Sequence, residues 1–76
     1  MPRYFFDIRE GNYLAVDEEG VELPDAQAAE AEAARSLADM ARDHLLARTS
    51  HVLVIEVRDD NGPIARARLA WELQKH

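Results

Sequence analysis

A stretch of 22 residues, 26–47, constrains the fold of this chain more than any other part of its sequence. It contains nine alanines and neither glycine nor proline, so its intrinsic helix propensity is high throughout. Asp25 immediately precedes it, and a carboxylate at that position accepts hydrogen bonds from the free amides of the first helical turn. We therefore expect one long helix that begins after Asp25. The side of this helix expected to face the core consists of Ala26, Ala29, Ala33, Leu37, Met40, Ala41 and His44.

Two segments before the helix alternate between apolar and polar residues, which is the period of a half-buried strand. The first is 3–9, with Tyr4, Phe6 and Ile8 on its apolar side, and the second is 13–17. Glycine and asparagine between them are typical turn residues. The sequence therefore predicts a hairpin ahead of the helix.

The length of the turn in this hairpin decides which side chains share a face. A three-residue loop would pair Ile8 with Leu14 and keep both on the apolar side. A two-residue loop would instead set Phe6 opposite Asp17, a carboxylate against a core residue. We therefore expect the three-residue loop, with Asn12 in the left-handed region.

A second hairpin is predicted after the helix. Residues 51–58 are rich in β-branched residues and alternate, and the alternation resumes in 64–73 after a dense turn signal. A three-residue loop ending in Gly62 at positive φ would pair the apolar residues of the two strands on one face. The same register would set Glu56 opposite Arg66 on the other face, where opposite charges attract.

These elements predict an α+β domain with the order ββαββ. The fold would be a four-stranded, mainly antiparallel sheet with one long helix packed on one face, and residues 1–76 would form a single domain because 76 residues are too few for two cores. With the strands numbered in that order, 2-1-3-4 makes every neighbour antiparallel, and 2-1-4-3 is the alternative.

The composition of the chain indicates its cellular compartment and limits the kinds of partner that it can bind. The chain has no cysteine, its opening is apolar for only three residues before Asp7, and it contains no apolar run of 18 residues. We therefore expect a cytoplasmic protein without a membrane partner. The net charge is −6, with −7 in residues 1–34 and +1 in 35–76, and this acidity opposes nucleic-acid binding at long range.

The sequence carries no motif for catalysis, for a cofactor or for a metal. Thr49 and Ser50 stand next to His51, but adjacent residues seldom face each other as a nucleophile and its base must. A calcium loop beginning at Asp59 would need glycine where Ile64 stands. We expect neither an enzyme nor a cofactor-binding protein.

The sheet face that a single helix leaves uncovered is the candidate functional surface. A mixture of apolar centre and arginine rim is typical of interfaces. We expect a small non-catalytic interaction domain that forms a homodimer through this open face or through an edge strand. The alternative is nucleic-acid or regulatory binding through the arginines of the same face, Arg58, Arg66 and Arg68. The candidate interface residues are Phe5, Val52, Val54, Ile64, Arg58, Arg66 and Arg68.

Four short patterns resemble a family of short bacterial proteins known only as a domain of unknown function. The resemblance covers most of the chain and implies a self-contained domain of about this length, but no activity and no functional residue. The patterns are the opening Pro2-Arg3-Tyr4-Phe5-Phe6-Asp7, Asp17-x-x-Gly20, Leu23-x-Asp25 and Val57-x-Asp59-x-x-Gly62.

Overall fold

The computed structural model describes residues 1–44 and 50–76 and shows an α+β chain with one helix and an antiparallel sheet. The α+β class is therefore confirmed, whereas the sheet has five strands where the sequence predicted four. The elements are β1 (Arg3–Glu10), β2 (Tyr13–Ala15), β3 (Val21–Glu22), α1 (Ala26–His44), β4 (Ser50–Asp59) and β5 (Gly62–Glu72).

The strands lie in the order β2-β1-β4-β5, and β3 also pairs with β1. This confirms the predicted order in which every neighbour is antiparallel. The additional strand β3 is two residues long and pairs Tyr4 with Val21. It is continued by a hydrogen bond of 3.1 Å from the Leu23 N–H to the Pro2 carbonyl oxygen. A strand this short has no periodicity of its own, which is why the alternation pattern did not predict it.

The predicted register of the first hairpin is wrong. A two-residue turn, 11–12, joins β1 to β2, so that Ile8 pairs with Ala15 and Arg9 with Leu14. Because directly opposed residues of antiparallel strands share a face, Leu14 lies on the side away from the helix rather than beside Ile8.

The physical reason for this register lies in Gly11 and Asp17. Gly11 supplies the positive φ of the turn, at +60°, and no residue type other than glycine has a positive φ in the described chain, so Asn12 is not left-handed as predicted. The shorter loop does bring Asp17 near Phe6, but the Asp17 carboxylate accepts a hydrogen bond of 3.1 Å from the Phe6 N–H. The contact expected to be unfavourable is therefore a backbone hydrogen bond.

The second hairpin has the predicted register over most of its length. Ile55 pairs with Ala67 and Glu56 with Arg66, and Gly62 has the expected positive φ, at +125°. The turn itself is shorter than predicted. Asp59 pairs with Gly62, and a register shift next to Val57 restores the pairing of the strand bodies. The irregularity thus reconciles a two-residue turn with the apolar pattern.

The start of the helix is as predicted. The Asp25 carboxylate accepts a hydrogen bond of 2.8 Å from the Ala28 N–H, which satisfies one of the free amides of the first turn. The described helix ends at His44; the predicted continuation to residue 47, the side chain of His44 and Thr49 lie outside the described residues.

The core lies between α1 and the centre of the sheet. Ala29 is the first fully buried residue of the helix, whereas Ala26, predicted to face the core, is exposed because α1 meets the sheet only from its second turn. Small side chains at this end let the helix approach the strands closely, and Leu37 and Met40 fill the space further along. The cluster of buried residues at its centre consists of Tyr4, Ala29, Ala33, Ile55 and Val57.

Candidate interaction surface

The open face, the side of the sheet opposite α1, carries two rows of side chains that cross β1, β4 and β5. Cross-strand partners share a face, so the register places each row directly. The first row consists of Leu14, Arg9, Val54 and Arg68. The second row consists of Asp7, Glu56 and Arg66.

These two rows enclose a concave region of about 330 Å³. Leu14, 47% exposed, and the half-buried Val54 give it an apolar floor, and the remaining lining residues are charged. No helix or strand of the described chain covers it. The region is thus an open amphipathic depression on the face of the sheet.

Arg66 is engaged within this face. Its Nε donates to Glu56 at 2.8 Å and its Nη2 donates to the other carboxylate oxygen at 3.4 Å. The hydrogen bond with Glu56 raises the pKa of the Arg66 guanidinium, which is charged in any case. The charge of Arg66 is therefore largely compensated inside the protein.

Arg9 and Arg68 differ from Arg66 in that no acidic side chain of the described residues pairs with them. Within residues 1–44 and 50–76, neither makes a hydrogen bond or ion pair through its side chain, and both are exposed. They stand on either side of Val54, because β1 and β5 flank β4. The uncompensated charge of the depression is therefore positive.

Arg58 belongs to a second cluster further along β4. Its Nε donates to Asp7 at 2.8 Å, its Nη2 donates to the Asp17 carbonyl oxygen at 2.7 Å, and its guanidinium lies 4.5 Å from the centre of the Phe5 ring. The two ends of the guanidinium thus join β1 to the segment that follows β2. A cation over an aromatic face adds a further attraction.

Asp17 completes this cluster, which we call the aspartate clasp: Phe5, Asp7, Asp17, Gly20 and Arg58. The Asp17 carboxylate accepts the N–H groups of Phe6, Glu19 and Gly20, each at 3.1 Å. Its own N–H donates to Asp7 at 2.9 Å. The clasp therefore anchors residues 16–20 to the edge of β1 between β2 and β3.

The charges of both aspartates are stabilised by these contacts. Burial acts to raise the pKa of Asp7, but hydrogen bonds from Arg58 and from the Asp17 N–H outweigh it, so this pKa lies below its ordinary value of 3.8. Burial likewise acts to raise the pKa of Asp17, and hydrogen bonds from the Gly20, Phe6 and Glu19 N–H groups again reverse the direction. The depressed pKa values of both aspartates therefore follow from hydrogen bonds that hold this part of the fold together.

Gly20 gives the clasp its close packing. Its φ is +73°, and a Cβ at this position would lie 2.9 Å from Arg3 Cγ and from Phe5 Cε1. Only a residue without a side chain fits here without displacement. The Asp17-x-x-Gly20 pattern is therefore explained by the fold.

The predicted interface residues divide into three places. Val54, Arg66 and Arg68 come together at the depression, whereas Phe5 and Arg58 belong to the aspartate clasp. Val52 is 37% exposed and Ile64 is 40% exposed. Val52 precedes Val54 on the same face of β4, and Ile64 lies at the irregular end of the second hairpin; both are outside the lining of the depression.

Four lining residues were not among the predicted interface residues: Asp7, Arg9, Leu14 and Glu56. Leu14 was missed because the longer turn would have turned its side chain toward the helix. Arg9 was assigned to the open face by its alternation with Ile8, and its lack of an acidic partner depends on three-dimensional contacts. A signal for Leu14 was available in the Gly11-Asn12 pair, which is compatible with a two-residue turn.

Comparison with known proteins identifies the class of this chain. Residues 3–70 match the model of a family described as a domain of unknown function, DUF6894. The chain therefore belongs to that family, which confirms the resemblance to an uncharacterised domain family. No curated protein and no solved structure matches the chain.

The residues described, 1–44 and 50–76, include neither a membrane-spanning helix nor a metal-binding cluster. No helix among them has both the length and the apolar composition needed to cross a bilayer. They also contain no cluster of three or more histidine and carboxylate side chains arranged to hold a metal ion.

Proposed function

We propose that this chain is a small non-catalytic protein-interaction domain that self-associates through its open sheet face or through an edge strand. The observation that supports this proposal is that, among the described residues, α1 covers one side of the sheet and no helix or strand covers the other. The other side carries a depression of about 330 Å³ with Val54 and Leu14 on its floor and with uncompensated arginines at its rim. Apolar surface surrounded by arginine is typical of contact regions.

The oligomeric state in solution tests the proposal directly. Light scattering coupled to gel filtration, carried out over a range of protein concentrations, is expected to show a mass that rises from 8.6 kDa to twice that value. A mass of one chain at every concentration would contradict self-association. Measuring at several concentrations matters because the equilibrium of a weak dimer depends on protomer concentration.

Val54→Asp tests the open face as the contact region. The matched control is Val21→Asp, the same change at a residue of β3 that is 46% exposed and pairs with Tyr4 rather than with a residue of the open face. Dissociation of the Val54→Asp protein alone would assign the contact to the open face. A dimer in both variants would assign it to an edge of the sheet.

Nucleic-acid binding through Arg58, Arg66 and Arg68 is the less favoured function. Two of these guanidiniums already hold carboxylates, Arg58 with Asp7 and Arg66 with Glu56. The basic surface is thus smaller than its sequence suggests, and the net charge of −6 opposes polyanions. Mixed oligonucleotides at low salt are expected to leave the scattering mass unchanged; a salt-sensitive complex would favour this alternative.

A further inference from the structure

β5 is the outer strand of the sheet on the side of the second hairpin. It is 11 residues long and pairs with β4 along one edge, and no strand of the described chain pairs with its other edge. A long unpaired edge is a template for another strand, and proteins usually shorten, interrupt or cover such edges. The outer edge of β5 therefore offers backbone groups to a partner.

The registers show which backbone groups of β5 face outward. In β1 the Phe6 N–H and the Pro2 carbonyl point toward the segment containing β2 and β3. Neighbouring residues of a strand direct these groups to opposite sides, so Asp7 bonds to Glu56 of β4, and Ile55 bonds in turn to β5. It follows that the even-numbered residues 66–72 present their N–H and C=O groups at the outer edge.

These even-numbered residues also carry the charges of the strand. Arg66 is compensated by Glu56, whereas Arg68 and Glu72 have no oppositely charged partner within residues 1–44 and 50–76. Four residues of strand separate Arg68 from Glu72 by about 13 Å, so they cannot reach each other within one chain. Within the described residues, two charges of opposite sign without an ion-pair partner thus lie along one edge, and the Glu72 carboxylate accepts a hydrogen bond of 2.6 Å from the Gln74 side chain.

We infer that a second copy of the chain pairs with β5, edge to edge and antiparallel, around a two-fold axis at Ala70. This inference rests on the proposed self-association and specifies its contact. Arg68 then lies opposite Glu72 of the partner subunit, twice by symmetry. On the helix side Leu69 lies opposite Trp71 of the partner subunit, and Leu73, 50% exposed in the single chain, lies opposite Ala67 of the partner subunit.

Other registers of the same edge fit less well. An axis at Ala67 sets Arg66 against Arg68 of the partner subunit, and an axis at Arg68 sets two copies of this arginine against each other. An axis at Leu69 pairs Glu72 with Arg66 of the partner subunit, but Arg66 already holds Glu56. Of these registers, only the axis at Ala70 joins Arg68 to Glu72, the two charged residues of β5 that have no ion-pair partner within the described residues.

Face-to-face association is disfavoured by the same charges. The uncompensated side chains at the depression, Arg9 and Arg68, are both positive. Two copies of the open face laid on each other would bring like charges together, which costs free energy when they are desolvated. Pairing along the edge brings opposite charges together and leaves Arg9 in solvent.

Charge reversal tests the inference. Arg68→Glu and Glu72→Arg should each raise the dimer dissociation constant at least about tenfold, because each places like charges opposite each other twice. An equimolar mixture of the two variants should restore association, since every contact across the axis then joins a base to an acid. Circular dichroism checks that each variant is folded, and Arg9→Glu is the matched control on the open face.

The outcomes separate this inference from the proposal beneath it. A native chain that is monomeric at every concentration overturns both. A native dimer that Arg68→Glu and Glu72→Arg leave intact overturns the edge contact while self-association stands. Restoration of the dimer by mixing Glu72→Arg with Arg66→Glu, but not with Arg68→Glu, overturns the axis at Ala70.

A cross-link tests the position of the axis independently. The chain has no cysteine, so Ala70→Cys introduces a single thiol. Hydrogen-bonded partners in antiparallel strands have Cα atoms about 5.5 Å apart, within the range that a disulfide spans. Mild oxidation should therefore yield a covalent dimer of Ala70→Cys several times faster than of Val52→Cys, the control on the open face. Equal rates would contradict an axis at Ala70.

Discussion

The two edges of the sheet differ in whether their backbone groups have partners within the described chain. Along the first edge, β2 and β3 are three and two residues long, and the Asp17 carboxylate takes the place of a strand between them by accepting the Phe6 N–H. Along the second edge, β5 continues for 11 residues, and its outward amides have no strand partner in the described chain. The comparison shows that a side-chain clasp can complete one edge while leaving the other available for association.

The distribution of charge follows the same division. The first edge carries four acids within six residues, Asp17, Glu18, Glu19 and Glu22, and residues 1–34 sum to −7. Like charges along an edge repel the same edge of another copy, which is one way in which proteins prevent strand pairing. At the second edge, Arg68 and Glu72 have opposite signs and suit a two-fold contact. We therefore expect another copy of the chain to pair with the second edge and not with the first.

The largest effect on the clasped edge is expected from Gly20→Ala. The new Cβ would lie 2.9 Å from Arg3 Cγ and from Phe5 Cε1, on a backbone with φ of +73°. Strain at positive φ costs about 1–2 kcal/mol and overpacking about 1–3 kcal/mol, so we expect the free energy of unfolding to fall by about 2–5 kcal/mol. Urea denaturation measures it.

Gly11→Ala is the matched control for this change. Gly11 also has a positive φ, at +60°, but a Cβ added to it would have no neighbouring atom within 4 Å. The backbone strain alone should cost about 1–2 kcal/mol. Equal losses for the two variants would show that the close approach of Arg3 and Phe5 to Gly20 has no energetic role.

Acid should weaken the clasp next most strongly. The pKa values of Asp7 and Asp17 lie below 3.8 in the folded chain, so in this range the unfolded chain binds more protons. The two ionised aspartates stabilise the folded chain fully from about one pH unit above 3.8 upward. This stabilisation is lost as the pH falls through their depressed pKa values. Asp17→Asn should cost about 1–2 kcal/mol at pH 7, because the amide keeps one acceptor oxygen.

The difference in free energy of unfolding between the native protein and Asp17→Asn should therefore become smaller as the pH is lowered. Urea midpoints at pH 7 and near pH 2 measure this narrowing. The comparison within one pair of proteins cancels the titration of the acids that both share. A difference that is the same at both pH values would mean that the ionised Asp17 carboxylate does not hold residues 16–20 in place.

Periodicity predicted the parts of the fold that depend on apolar faces. The helix after Asp25, the strand order and the pairing of Ile55 with Ala67 follow from patterns of 3.6 and 2 residues, because burial dominates there. The first hairpin was mispredicted because a polar contact decided its register. From the sequence alone, Asp17 opposite Phe6 counts as an unfavourable contact between a carboxylate and a core side chain. In the structure, the Asp17 carboxylate instead accepts a hydrogen bond from the Phe6 N–H.

The candidate site was only partly predictable for a related reason. Alternation placed Arg58, Arg66 and Arg68 on one face, but whether an arginine is compensated depends on which acid the register sets beside it. Glu56 opposite Arg66 could be deduced from the hairpin, and the pairing of Arg58 with Asp7 could not, since it crosses from β4 to β1. The sequence thus predicts the face more readily than the charges available on it.

The smallest effect is expected from Arg66→Gln, and its contrast with Arg58→Gln sharpens the comparison of the two regions. Both guanidiniums hold a carboxylate at 2.8 and 3.4 Å. The Arg66 side chain is 66% exposed, and a pair in solvent contributes little because water and salt screen it. Arg66→Gln should therefore leave the urea midpoint at pH 7 unchanged within error.

Arg58 has the same ion-pair geometry but additional contacts. It also donates to the Asp17 carbonyl oxygen at 2.7 Å and lies over the Phe5 ring, and its side chain is 30% exposed. Removing it leaves Asp7 without its cation and unties β4 from residues 16–20, so Arg58→Gln should lower the midpoint clearly. High salt should diminish the effect of Arg58→Gln only in part, because the hydrogen bond to the Asp17 carbonyl oxygen and the stacking on Phe5 are screened less than the ion pair. Equal midpoints for the two variants would show that the clasp is no stronger than a surface ion pair, and the contrast between the two edges would then rest on strand length alone.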